Sequence, residues 1–203
     1  LVGNIPVEVR AKKGKRVARQ ISLSELRERA RRINIETAAK QPGEALSREE
    51  LGEIINQTKE DIRLGRMTEL KYPDCKSEYP FTRRFAVKQL SSKGKEKLRC
   101  IDDFLRSHIN STAEVDGTIS MGRIDDLLKS ASILAKKHPK NDIVLLKSDF
   151  KSAYRCCPIL TEHLKLARII VWDPEKKRYL ESSHSAMPFG AIGAVYAWDR
   201  LGA

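Results

Sequence analysis

RRFAVKQLSSKGKEKLRCIDDF, residues 83–104, reads as a β-hairpin. Phe85, Val87 and Gln89 alternate with Ala86 and Lys88 on one side of the turn. Leu98, Cys100 and Asp102 alternate with Arg99 and Ile101 on the other. Successive side chains of a strand point to opposite faces, so a period of two predicts two strands. The intervening SSKGKE contains the glycine that a short reversal favours. Lys and Arg load the tip and one face. Such a hairpin is either a solvated edge that resists edge-to-edge pairing or a lid over phosphates.

Upstream, the pattern is helical. Ser22 and Glu25 form a capping box, and Leu23, Leu26, Ala30 and Ile33 recur at helical spacing until QPG at 41–43. A second box, Ser47 and Glu50, opens a stripe of Leu51, Ile54, Ile55, Thr58 and Ile62, which Gly65 ends. Residues 1–20 are basic and irregular, and 71–82 are rich in turn formers.

Downstream, 122–137 predicts a helix whose Ile124, Leu127, Leu128, Ala131 and Leu134 face inward. DIVLLKSDF, 142–150, predicts a short buried strand. LKLARIIVW, 164–172, predicts another, with YLESSHSA returning as its partner after DPEKKR. MPFG then opens a final helix. Mixed elements in this order place the chain in the α+β class.

The chain has 203 residues, with 39 Lys and Arg against 27 Asp and Glu, a net charge of +12. That balance favours a polyanionic partner, most simply nucleic acid. Cys75, Cys100, Cys156 and Cys157 show no CxxC spacing, and the four histidines do not cluster. Reduced thiols in an intracellular compartment, cytoplasm or nucleus, are expected, and no zinc. No apolar run reaches the roughly 18–20 residues of a membrane span, so no membrane partner is expected. A start without Met and an end inside a helical pattern lead to the expectation of a fragment.

The chemistry concentrates in KSDFKSAYRCCP, residues 147–158. An apolar run ends on Asp149, and Tyr154 follows five residues later. A carboxylate at the end of a buried strand is rigid and faces solvent. Mg²⁺ takes hard oxygen ligands and needs only one or two protein carboxylates beside substrate phosphates. Asp149 and the neighbouring carbonyl of Phe150 are the candidate metal ligands, and Asp149 the candidate catalytic residue.

KSDFKSAYRCCP resembles motif A of reverse transcriptases, in which an acid precedes an aromatic and then a proline, here Asp149, Tyr154 and Pro158. FAVKQ…KLRCIDDF resembles the fingers hairpin of that family. MPFG, Met187 to Gly190, resembles its motif B. The blocks stand in the family's order over roughly residues 50–203 and look most like retrotransposon-type polymerases. The resemblance implies the fingers and partial palm of a right-hand polymerase, an antiparallel sheet with helices. It divides the chain into a basic N-terminal arm and helix, 1–45, and a fingers and partial-palm unit, 46–203.

Residue roles follow from the same resemblance. Asp149 would hold two Mg²⁺ ions, or Mn²⁺ in their place. Tyr154 would be the steric gate under the sugar, favouring deoxynucleotides. Arg99 would grip the triphosphate, a task suited to a forked guanidinium. Lys88 would bind the triphosphate too, with Gln89 as the alternative register. Phe189 would stack near the nascent base pair, and Gly190 would let backbone approach the nucleotide. RNA or DNA template–primer and dNTP are the implied partners.

The family's aromatic-x-Asp-Asp motif C is not found. Asp102–Asp103 ends the hairpin, and Asp125–Asp126 lies on a helix where adjacent side chains point about 100° apart. The thumb is not found either. The 203 residues alone are therefore expected to be inactive. Three alternatives stand: an RNA-dependent RNA polymerase, a non-catalytic nucleic-acid-binding remnant, and a basic α+β domain unrelated to polymerases. The first is disfavoured by an aromatic at Tyr154, since such enzymes must accept a 2′-hydroxyl.

Overall fold

A computed structural model describes residues 20–42, 46–90, 94, 96–114, 119 and 123–202. The basic arm at 1–19, Gly43 of the QPG breaker, most of the hairpin turn and Gly122 lie outside the described residues.

The chain runs α1 (Leu23–Ala39), α2 (Arg48–Arg63), β1 (Thr82–Leu90), β2 (Glu96–Asp102), α3 (Ile124–Lys137), β3 (Arg168–Asp173), β4 (Arg178–Ser183) and α4 (Ile192–Gly202). The α+β class is borne out. The four strands form one sheet in the order β2-β1-β3-β4. β1 and β2 pair antiparallel from Arg84↔Asp102 to Leu90↔Glu96, so the 83–104 hairpin forms as the alternation predicts. β3 and β4 form the second hairpin.

The central pair differs from the expected antiparallel sheet. β1 and β3 are parallel, through Thr82↔Ile169 and Arg83↔Ile170, so the sheet is mixed. The reason is the connection. Parallel neighbours need a long crossover, and the stretch between β2 and β3, which contains α3, supplies one.

β3 is the centre of the fold because both its faces are covered, which a near-continuous apolar strand requires. Ile169 and Val171 pack with Ala86 under Ile54 and Ile55 of α2. Ile170 faces the other way, onto Phe81 and Tyr179. α2 owes its start to the predicted capping box: Ser47 and Glu50 bond reciprocally. Gly65, at φ +68°, turns the chain away after its end. α1 buries Leu26, Ala30 and Ile33, as its stripe predicts, whereas Leu23 is exposed. Asn34 docks it onto the 77–81 segment by accepting from Phe81 N–H at 2.6 Å and donating to Tyr79 O at 3.2 Å.

Two expectations are corrected. DIVLLKSDF does not join the sheet: no ladder partner reaches it among the described residues, and Val144 and Leu146 are 75% and 94% exposed. The helix at 124–137 forms, but none of its side chains is buried. Apolar patterning marks which face requires burial. Burial itself needs a neighbour, and no described element supplies one here.

Candidate functional site

The third hydrophobic cluster shapes the site. Cys157, Met187 and Ala194 are its buried members, and Tyr154, Ile159 and Trp198 pack around them. The chain enters this cluster through Ser152, in the left-handed region at φ 59°, and makes a single 3₁₀ turn, Ala153–Cys156. Met187 N–H donates to Cys157 O at 2.8 Å, which fixes the segment before α4 beside that turn.

A cleft of about 820 Å³ opens between this turn and the β1–β2 hairpin. Arg99, Asp149, Phe150, Tyr154 and Phe189 all line it. Tyr154 and Phe189 meet at 5.1 Å between ring centroids, and the Arg99 guanidinium lies over the Phe189 ring at 4.7 Å. Phe150 packs edge-on against Trp198 at 5.2 Å. Residues separated by up to 90 positions in sequence thus share one surface. Asp149 sits on an exposed stretch and not on the rigid end of a buried strand.

Two predicted residues lie elsewhere. Lys88 turns to α2 and pairs with Glu50 at 2.7 Å, while Gln89, the alternative register, lines the cleft. Gly190 abuts the end of β2: its φ is +102°, and a Cβ there would lie 2.4 Å from the Asp102 carbonyl oxygen. Asn110 holds it there, donating to Gly190 O at 2.8 Å and accepting from Ile192 N–H at 3.1 Å.

Sequence reasoning missed the floor. Beneath the cleft lies a buried charged network that joins α2, β1, β2 and the end of β4. Arg84 grips Asp102 with two bonds, Nε to Oδ1 at 2.8 Å and Nη2 to Oδ2 at 3.1 Å. His184 Nε2 lies 2.9 Å from Asp102 Oδ2, and its Nδ1 lies 2.7 Å from Arg155 Nη1. The partners fix the tautomer: Nε2–H donates to the carboxylate, and Nδ1 accepts from the guanidinium. Arg155 Nη2 then reaches Asp61 Oδ2 at 2.7 Å.

Burial opposes charge on Asp102, yet Arg84 and His184 hold its carboxyl well below the usual range. Burial, with the nearby Arg84 and Arg155, outweighs Asp102 at His184 and pulls its pKa down to about 4. A histidine kept neutral by the fold stabilises fully above its unfolded pKa of about 6.5 and loses that contribution as pH falls through 4. Urea unfolding at stepped pH should therefore show stability falling by on the order of 3 kcal/mol between pH 6.5 and 4. A His184→Gln variant should lose that part of the slope. An equal slope in the variant assigns it to other groups.

Cations outnumber acids along the cleft. Arg66, Arg84, Lys97, Arg99, Lys151 and Arg155 line it against Asp61, Asp102 and Asp149. Asp61 and Asp102 are committed to Arg155 and Arg84. Lys97, Arg99 and Lys151 are left on the exposed wall, a surface suited to phosphates.

Of the metal ligands that the resemblance implies, Asp149 and Phe150 both line the cleft. Among the described residues no three His, Cys, Asp or Glu side chains converge on one point. Asp149 offers a single carboxylate, and the other two in the lining, Asp61 and Asp102, are paired with arginines.

All four cysteines are free thiols. No described helix is long and apolar enough to cross a membrane. No protein-family model matches the chain, and no curated protein does.

Proposed function

We propose that this chain is the fingers and partial palm of a retroelement RNA-directed DNA polymerase, which binds template–primer and a deoxynucleoside triphosphate in the 820 Å³ cleft. One observation carries the reading: Arg99, Asp149, Phe150, Tyr154 and Phe189, chosen from three separate motifs, line the same cleft.

The geometry suits a nucleotide. Arg99 has several donors for a triphosphate, and Lys97 and Lys151 add point charges along the same wall. Stacking of its guanidinium on Phe189 limits its freedom before a ligand arrives. The Tyr154 ring, packed on Phe189, offers a flat surface under a sugar. A 2′-hydroxyl there would meet carbon instead of a hydrogen-bond partner, which costs affinity. Arg84, committed to the buried Asp102, and Arg155, committed to the partly buried Asp61, support that surface rather than bind ligand.

The lone carboxylate favours a second reading, a nucleic-acid-binding unit with no chemistry of its own. Both readings require polyanion binding. Fluorescence anisotropy with a labelled RNA–DNA primer–template should show affinity falling at least about 40-fold between 50 and 200 mM salt, from three or more neutralised phosphates. Arg99→Ala should reduce the logarithmic salt slope by about one. A flat salt response sinks both readings. Equal binding of dATP and ATP by the wild-type chain sinks the steric-gate part and leaves the nucleic-acid-binding unit.

A further inference from the structure

We infer that Arg155 is the positioning residue of the cleft: by bonding Asp61 and His184 together, it fixes the turn that carries Tyr154. What Tyr154 does there rests on the polymerase reading; where it sits does not.

The Ala153–Cys156 turn is one turn long and cannot hold itself. Its local bonds are few: Arg155 N–H donates to Ser152 O at 2.8 Å, and Cys157 N–H to Tyr154 O at 3.1 Å. It follows a stretch whose apolar side chains are exposed, where the ring contact between Phe150 and Trp198 is the nearest upstream anchor given among the described residues. Tyr154 projects toward Phe189, while the next side chain goes down into the protein and is 13% exposed.

That side chain finds a prepared seat. Asp61 stands in the last turn of α2. His184 cannot rotate, because Asp102 holds its Nε2–H and Arg84 holds Asp102. The two Arg155 nitrogens reach the carboxylate and the imidazole at 2.7 Å each, and Nη1 also approaches Ala186 O at 3.4 Å. Two acceptors in different directions require the rigid fork of a guanidinium. A lysine ammonium has its donors on one nitrogen and could not span both acceptors as Nη1 and Nη2 do. The arginine beside Tyr154 is thereby pinned to α2 and to the end of β4, and the ring is set at the height where it meets Phe189.

The test uses the full chain labelled with meta-fluorotyrosine, the Tyr154 resonance being assigned with Tyr154→Phe. In Arg155→Met that resonance should move to the position of the unfolded chain, while Tyr179, in the opposite core, stays in place. Asp61→Asn, which leaves Arg155 itself intact, should move it in the same direction. Arg155→Lys should restore part of the shift at most. An unmoved Tyr154 resonance in folded Arg155→Met overturns the inference. If Arg155→Met also shifts Tyr179, the core is damaged, and Asp61→Asn decides: a Tyr154 resonance unmoved there overturns the inference too. Titration with dATP and ATP in the presence of Mg²⁺ separates the readings. Loss of a wild-type preference for dATP in Arg155→Met joins position to selection. If the wild-type chain binds neither nucleotide, the polymerase reading fails, and the fluorine result still decides the position of Tyr154.

Discussion

Replacing Asp102 with alanine is expected to cost about 3–5 kcal/mol of folding free energy, the usual loss when one partner of a buried ion pair is removed. For a chain of this size that lowers the melting temperature by roughly 6–20 °C. The reason is what remains behind. The Arg84 side chain is 2% exposed, and it would keep only Asp61 at 3.6 Å as a carboxylate. His184 would lose the acceptor for its Nε2–H. Desolvation of two polar groups would then go uncompensated. The double variant Arg84→Met with Asp102→Leu removes both charges and should recover much of the loss. Urea unfolding of the two variants measures this. A loss under about 1 kcal/mol for Asp102→Ala would mean that water reaches the pair.

That network also marks how far the sequence could be read. The hairpin was legible because alternation and a glycine turn are local signals. The partners of Asp102 were not. Arg84 stands 18 residues before it and His184 82 residues after it, and each alone resembles an ordinary polar position. KLRCID alternates in period, but the alternation does not say that its terminal acid faces α2 instead of solvent. The cleft was legible for a different reason. Arg99, Asp149, Tyr154 and Phe189 were selected by resemblance of short motifs, and the fold brings those motifs to one wall. Lys88 shows the limit: a one-residue shift in register turns a strand side chain to the opposite face, where it meets Glu50. The segments at 124–137 and 142–150 were read correctly as apolar and incorrectly as buried. A periodic stripe states a demand for a partner, and the partner's presence is not a property of the stripe.

Substituting Gly190 should have the second large effect, and its origin is steric. At φ +102° an L side chain is strained, at about 1–3 kcal/mol. A Cβ there would also lie 2.4 Å from the backbone oxygen of Asp102, and the backbone at the end of β2 cannot swing aside as a flexible side chain could. Overpacking of this kind costs about 1–3 kcal/mol more. Gly190→Ala is therefore expected to destabilise by about 2–6 kcal/mol or to push the Phe189–Gly190 segment off β2. The two outcomes are distinguishable. Denaturation reports the first. The second separates Phe189 from Arg99 and Tyr154, and the Tyr154 fluorine resonance reports it in a chain that is still folded. Asn110→Ala is the control, since it removes the bonds to Gly190 O and Ile192 N–H without adding an atom. Those groups are near solvent, so its cost should stay near 1 kcal/mol. If Gly190→Ala is no worse than Asn110→Ala, the close approach to Asp102 is not what requires glycine here.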